Sequence, residues 1–180
     1  QAYNPQAGVD TASRLVVGAR VSRAANDKQE LVADLAEVRR HVSPAAVLVD
    51  SGFVSEAAVK TLECDKQGRS TGVTVFAAVQ REPHGRTVAQ LEVRADPPEP
   101  GPEATFTERM RQRTATAAGR ALYKLRQQTV EPVFGIIKEA MGFRRFSLRG
   151  LAKVSLEWDL VCLAYNLRRL HRLGADLKAA

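Results

Sequence analysis

A single carboxylate, Glu131, lies in the basic segment TVEPVFGIIKEAMGFRRF. Lys138 follows it seven residues later, which is about two helical turns, so both side chains would share one face of a continuous helix. Tyr123 and Arg126 are three residues apart and share a face of the preceding helix. Together these side chains form either a strip in which an acid is flanked by a hydroxyl and two cations, or an ordinary surface ion-pair ladder. The first arrangement suits a polyanion.

Pro132, directly after Glu131, restricts the local backbone. A proline disfavours helical geometry at the residue before it and has no N–H for the preceding turn. The sequence therefore predicts either a kink at this point or a new helix with Pro132 at its first position.

The excess positive charge of the chain, a net +7, is concentrated in its second half. Residues 1–104 hold 12 lysines and arginines against 14 acids, whereas residues 105–150 hold 10 against 3 and residues 151–180 hold 5 against 3. A localised cationic field suits nucleic acid. The alternative is a solvated helix surface, which is the more common role of a charge cluster.

Short apolar runs in residues 1–94 predict strands. AYNPQAGVD and RLVVGARVS, separated by a short turn, predict an antiparallel hairpin. AAVLVD predicts a buried strand ending at Asp50, and GVTVFAAV predicts a further strand. Because open α/β sheets hold ligands beyond the carboxyl ends of their strands, Asp50 is a candidate site residue. The alternative, that Asp50 only caps its own turn, stays open.

Two helices are predicted between these strands. Asn26 and Asp27 offer oxygens to cap the first helix, and Gln29 and Glu30 are placed to complete a capping box. Ser55 caps the second. The first helix, which Pro44 would close, has an apolar stripe made of Leu31, Leu35, Val38 and Val42.

The second half is predicted to be helical. Four prolines make residues 95–104 an exposed connector, and residues 105–180 show helical patterns, with Thr107 as a possible cap. The last helix is apolar over an arc wide enough to be buried against the sheet or a partner. Its two neighbouring stripes are Leu151, Val154, Trp158, Val161 and Tyr165, and Leu156, Leu160, Leu163, Leu167 and Leu170.

The element order predicts an α/β architecture in which the helices of the second half pack on a mixed sheet. Cys64 and Cys162 are far apart and in no CxxC motif, which favours reduced thiols in a cytosolic protein. Charges interrupt the longest apolar helix pattern, so we expect no membrane span. A small-molecule hydrolase is weakly supported, because GxSxG, Walker-type and GxGxxG motifs are absent from the sequence.

Motifs covering nearly the whole chain point to one family. The second half contains GRALYKLRQQTVEPVFGIIKEAMGFRRFSLRGLAKVSLEWDLVCLAYNLRRL, and the first half contains AYNPQAGVD, RAAND and VLVDSGFVSEAAV. Together they resemble bacterial insertion-sequence DDE transposases, which have an RNase H-like fold. VEPVFG with the lysine that follows is the most specific of these signals, whereas DSGF alone would be weak.

The resemblance implies a role for each matching residue. Asp50 is similar to the second catalytic aspartate and Glu131 to the catalytic glutamate, which together would hold two Mg²⁺ (or Mn²⁺) ions. Tyr123, Arg126 and Lys138 are similar to the residues that contact DNA phosphates near the cut site. Further phosphate contacts, with a solvated face as the alternative, are expected from Arg144, Arg145 and Arg149.

Two departures from the family pattern concern spacing and side-chain type. Four residues separate Arg126 from Glu131, one more than in the wider group, and each residue turns a helix by about 100°. A break at Pro132 would restore the alignment. Phe53 replaces the usual tyrosine, which removes a hydroxyl and keeps the packing.

The first catalytic aspartate of the family lies on a central strand that this chain lacks, so we expect that residue to lie upstream. Asp10 is expected to be a turn acid and Asp27 a helix cap. The family sheet places its first strand between the second and fourth, so two inner edges would be left unpaired. We expect the isolated chain to be marginally stable or prone to aggregation.

The leading interpretation is the catalytic-core part of a DDE transposase that cuts and joins DNA and is inactive without the first aspartate. The alternative is a non-catalytic DNA-binding remnant of such an enzyme. The expected partners are transposon-end and target DNA and, for the full-length protein, a second copy in a homodimer. The expected location is the bacterial cytoplasm, in association with the nucleoid when bound to DNA.

Overall fold

The computed structural model describes residues 3–24, 27–79 and 95–179. These residues form a mixed α/β structure, which confirms the predicted class. No helix within the described ranges has the length and hydropathy needed to cross a membrane. The elements are β1 (Asn4–Val9), β2 (Val16–Ser22), α1 (Leu31–Val38), β3 (Ala46–Val49), α2 (Glu56–Glu63), β4 (Thr74–Ala77), α3 (Phe106–Ala115), α4 (Ala117–Gly135) and α5 (Leu151–Ala179).

The chain divides into two compact units. Residues 1–44 and 126–180 form the first, and residues 45–125 form the second. Among the described residues, each unit contains one two-stranded sheet, β1 with β2 in the first and β3 with β4 in the second. The sequence analysis expected one mixed sheet, whereas the structure has an antiparallel hairpin and a separate parallel pair.

The hairpin of the first unit carries α1 on one face, where two glycines make room for it. Gly8 and Gly18 are cross-strand partners, and a Cβ atom at either would lie 2.3 Å or 2.6 Å from Cγ2 of Val38. Side chains alternate between the faces of a strand, so Arg20 shares this face. It pairs with two acids of the helical segment, Glu30 and Asp34.

The opposite face of the hairpin packs against the main hydrophobic core. Ala7, Val9 and Ala19 lie against a buried cluster that includes Trp158 and Tyr165 of α5. Polar side chains of α5 also bond to hairpin backbone. The donors are Trp158 Nε1 to Gln6 O (2.9 Å), Tyr165 hydroxyl to Arg14 O (3.0 Å), Asn166 Nδ2 to Val16 O (2.8 Å) and Arg169 Nε to Ser13 O (2.8 Å).

The first helix begins later than predicted. Asp27 opens a short 3₁₀ segment, α1 starts at Leu31, and Glu30 at its N-cap position makes no side-chain cap bond. The predicted capping box is therefore wrong at Glu30, because its carboxylate pairs with Arg20 instead. The Asn26 part of that prediction lies outside the described residues. Leu31 and Leu35 are buried as expected, but α1 ends before Val42, which is exposed.

In the second unit, β3 and β4 pair in parallel and Ser55 caps α2 by accepting from Ala58 N, as predicted. The residues of β3 are half-buried, so the prediction of a buried strand is wrong. Residues 95–104 contain no helix or strand. The helix after them is capped by Thr105, not Thr107, because Glu108 lies three residues after Thr105 and completes a capping box.

The two apolar stripes of α5 have different environments. Val154, Trp158 and Tyr165 are buried in the core of the first unit, together with Cys162. The five leucines of the second stripe are each between 50% and 65% exposed. The prediction that the helix is buried over its whole apolar arc therefore holds within the chain for the first stripe only.

Candidate functional site

Asp50 is exposed and follows β3 directly, at the start of a 3₁₀ turn formed by Ser51–Phe53. Its Oδ1 accepts a hydrogen bond of 2.8 Å from Ser51 N. The turn-capping alternative from the sequence analysis is therefore observed. Capping engages one carboxylate oxygen through a backbone donor and keeps the group ionised and accessible, so it is compatible with a ligand role.

Tyr123 lies beside this turn in the same unit. Its hydroxyl donates a hydrogen bond of 3.2 Å to the carbonyl of Val49, the residue before Asp50. The sequence analysis grouped Tyr123 with a strip on its own helix and did not connect it with Asp50. The structure thus brings two of the predicted site residues to the carboxyl end of β3.

Glu131 is exposed and lies within α4, which continues through Pro132 to Gly135. Pro132 does not start a new helix, so that alternative is wrong. Gln128, whose carbonyl loses its usual helical donor at Pro132, is exposed, so water can satisfy it. Arg126 and Glu131 are five residues apart in this helix, about 140° around the axis, so Pro132 does not restore their alignment.

Lys138 belongs to a π-helical turn, Ile136–Ala140, that follows α4. Its ammonium lies 5.9 Å from the centre of the Phe134 ring and its side chain is exposed. The wider π turn changes the angular offset between Glu131 and Lys138 from the value expected for seven residues of α-helix. Single π turns often occur at functional sites.

The loop between this turn and α5, residues 141–150, is held by aromatic and polar contacts. Phe143 and Phe146 pack edge to face with ring centres 5.3 Å apart, and both lie near the ring of Trp158. The carboxylate of Glu157 accepts hydrogen bonds from Ser147 N (2.8 Å) and Leu148 N (3.0 Å), which lower its pKa.

This loop, which we call the basic loop, presents three exposed arginines, Arg144, Arg145 and Arg149. Arg144 pairs with Glu139, and both side chains are 68% exposed. Gly150 ends the loop with a φ of 86°, which favours glycine, and donates its N–H to the Tyr3 hydroxyl at 2.9 Å. Because the loop backbone is tied to the core, its arginines project from an ordered platform.

Asp10 has a structural role at the end of β1. Its Oδ2 accepts hydrogen bonds from Ser13 N (2.7 Å) and Ser13 Oγ (2.6 Å), and these bonds lower the pKa of Asp10. The acid thus closes the turn between β1 and β2, as expected for a turn residue.

Residues 99–171 match the family model of the transposase DDE domain. The matched part, less than half of the chain, contains Tyr123, Arg126, Glu131, Lys138 and the basic loop, whereas Asp50 lies outside it. The comparisons with curated proteins and with solved structures found no match. The match indicates a function related to DNA transposition.

The carboxylates expected of a transposase DDE domain do not form a cluster of their own within the described ranges. No group of three or more His, Cys, Asp or Glu side chains able to hold a metal ion occurs there. Asp50 and Glu131 are exposed oxygen donors of the type that Mg²⁺ prefers. Asp50 belongs to the second unit and Glu131 to the first.

Sequence reasoning missed the residues that support the transposase-like segment. Glu157 and Tyr3 hold the basic loop through backbone N–H groups, but neither belongs to a recognisable motif. A carboxylate on the first turns of a helix that follows a glycine-bounded loop was the available signal for Glu157. Tyr3 bonds to a residue 147 positions away, so local patterns contain no signal for it.

Proposed function

We propose that this chain is the catalytic-core part of a DDE transposase, an enzyme that cuts transposon-end DNA and joins it to target DNA. The observation that carries the proposal is the family match over residues 99–171, which includes Glu131 and the cationic residues around it. The enzyme would act on nucleoid DNA in the bacterial cytoplasm.

The arrangement of the strands supports an RNase H-like fold. In that fold, the strand that carries the first aspartate lies between the hairpin and the parallel pair. The described residues form such a hairpin and such a parallel pair as separate sheets. Asp50 directly follows β3, as the second aspartate of the family would follow the fourth strand.

In the proposed site, Asp50 and Glu131 would hold two Mg²⁺ ions. Such ions, when bound, activate the attacking oxygen and neutralise the leaving oxygen of a phosphodiester. Asp50 is held by its own turn, which orients the carboxylate through Ser51 N. The Asp10 carboxylate is engaged by Ser13, so we do not assign it as a ligand.

The cationic side chains would bind DNA phosphates. Arg145 and Arg149 project from the basic loop, whose backbone is tied to Glu157 and Tyr3. Lys138 and Arg126 would contribute further charge. Tyr123 is placed by its bond to Val49 at the turn that carries Asp50. These contacts would fix the register of the DNA without reading its sequence.

The experiment is a nicking assay with Mg²⁺ or Mn²⁺ on DNA from the ends of the surrounding element. It uses both this chain and the longest reading frame that contains it. We expect metal-dependent nicking that Asp50→Asn and Glu131→Gln each reduce by at least about 10³-fold, since each removes a charged metal ligand. Asp10→Asn is the matched control and should retain activity.

A non-catalytic DNA-binding remnant is the second candidate. It is favoured by the absence of a carboxylate cluster within the described ranges. This candidate predicts salt-sensitive DNA binding with no nicking by either protein, unchanged by Asp50→Asn or Glu131→Gln. Nicking that survives both substitutions would contradict both candidates.

A further inference from the structure

One face of α5 is apolar and uncovered by the described part of the chain. It consists of five leucines that are each at least half exposed, and we call it the leucine face. Its members are Leu156, Leu160, Leu163, Leu167 and Leu170. A contiguous row of this kind on a soluble protein marks an interaction surface, because singly scattered leucines are common but such rows are not.

The spacing of the leucine face identifies the kind of partner it fits. The intervals are four, three, four and three residues, which is the a/d pattern of a heptad repeat. A strict a/d stripe with a 3.5-residue period matches the seam of a coiled coil. The partner is therefore another helix with similar spacing.

The buried residues of α5 leave this seam available. Trp158 and Tyr165 occupy the heptad position farthest from the seam and pack into the core of the first unit. Asn166 and Arg169 bond to backbone atoms of the β1–β2 hairpin, which fixes the rotation of the helix. The same anchoring that buries one side of α5 thus holds the leucine face outward.

The charges along α5 distinguish the two possible orientations of a second copy. Glu157 and Asp159 lie near the start of the seam, and Arg168 and Arg172 lie near its end. Antiparallel helices would place the acids of one chain alongside the arginines of the other, whereas parallel helices would place like charges together. Lys153 continues the seam at an a position, so parallel pairing would also face it with its own copy.

We propose that the leucine face is a homodimer interface in which two α5 helices pair as an antiparallel coiled coil. This proposal does not rest on the proposed function, since it needs neither DNA nor metal. A second copy supplies both the heptad spacing and the reversed charge order that the seam requires.

The first test measures the dimer dissociation constant of the 180-residue chain by sedimentation equilibrium. The double variant Leu160→Gln/Leu163→Gln should raise this constant about a hundredfold or more, because four leucines lose their burial in each dimer. Leu148→Gln is the matched control, as Leu148 is 46% exposed but lies outside the heptad. Circular dichroism of each variant verifies that the fold is retained.

The second test measures orientation with spin labels at Ala152→Cys in a Cys64→Ser background. Cys162 is buried in the core and its pKa is raised to about 12, so it stays unlabelled. An antiparallel pair would separate the labels by about 30 Å or more, given the helical rise along the seam. A monomeric wild-type chain, equal weakening by Leu148→Gln, or labels at short distance would each overturn the proposal.

Discussion

Asn166 on α5 holds both backbone groups of Val16 at the start of β2. Its Oδ1 accepts from Val16 N and its Nδ2 donates to Val16 O, each at 2.8 Å. The side-chain amide thus takes the place of a neighbouring strand at this point. Because these groups are partly buried, the contact connects the last helix to the hairpin and orients the leucine face.

Asn166→Ala should lower the free energy of unfolding of the first unit by about 2 kcal/mol, because it leaves a partly buried N–H and C=O without partners. The measurement is urea unfolding followed by the fluorescence of Trp158, the single tryptophan, which lies in the core of this unit. Gln128→Ala removes an exposed amide from α4 and should change the unfolding midpoint little. Equal effects of both variants would contradict the assigned role.

The contact between α1 and the hairpin gives a second prediction. Gly18→Ala should destabilise the first unit by about 1–3 kcal/mol, because its Cβ would collide with Val38. Adding Val38→Ala should recover part of this loss, which a double-mutant cycle measures. The control is Gly135→Ala, where a Cβ meets nothing within 4 Å and helix propensity predicts a gain of about 0.5–1 kcal/mol.

An ion pair in the second unit leads to a third prediction. Arg113 Nη1 bonds to Glu63 Oε1 (2.5 Å) and to Val75 O (2.7 Å), and Glu63 Oε1 also accepts from Val75 N (2.7 Å). Glu63→Gln should weaken all contacts of α2 and α3 with β4 and cost about 1.5–3 kcal/mol, as for partly buried charged hydrogen bonds.

The measurement for this variant is amide hydrogen exchange of β4, which reports on the second unit directly. Glu139→Gln is the matched control, because its partner Arg144 is equally exposed and such a surface pair contributes about 0–1 kcal/mol. If β4 exchange is unchanged in Glu63→Gln, the ion pair does not stabilise this sheet.

The turn acid Asp10 makes a pH-dependent prediction. Its hydrogen bonds to Ser13 lower its folded pKa below the ordinary value of 3.8. The resulting stabilisation is present above pH 3.8 and is lost as the pH falls through the lower folded value. Asp10→Asn should therefore flatten the acid side of a plot of unfolding midpoint against pH. An unchanged slope between about pH 4 and pH 2 would contradict this assignment.

Local signals in the sequence predicted elements well where a cap or a period determines them. The β1–β2 hairpin and the Ser55 cap follow from turn residues and short-range bonds, and both are observed. Thr105 and Thr107 are equally good caps by type, and only the position of Glu108 distinguishes them. The resemblance also predicted the region that matches the transposase DDE domain.

Long-range relationships were beyond the reach of sequence patterns. The bond between Tyr123 and Val49 joins residues 74 positions apart, and no periodicity relates them. Pro132 strongly predicts a helix boundary, but an exposed carbonyl four residues earlier let α4 continue. The expected convergence of Asp50 and Glu131 stays a prediction, as does the low stability of the isolated chain.

The basic loop gives a prediction on DNA affinity. Arg145→Ala/Arg149→Ala should weaken binding to any duplex and reduce the slope of log K against log salt by about two, because each arginine neutralises about one phosphate. Fluorescence anisotropy over a salt series measures both quantities. Arg39→Ala/Arg40→Ala is the charge-matched control, as both arginines are exposed at the end of α1 in the charge-balanced part of the chain. If the control reduces the slope equally, the binding is a property of net charge, and the basic loop has no special role.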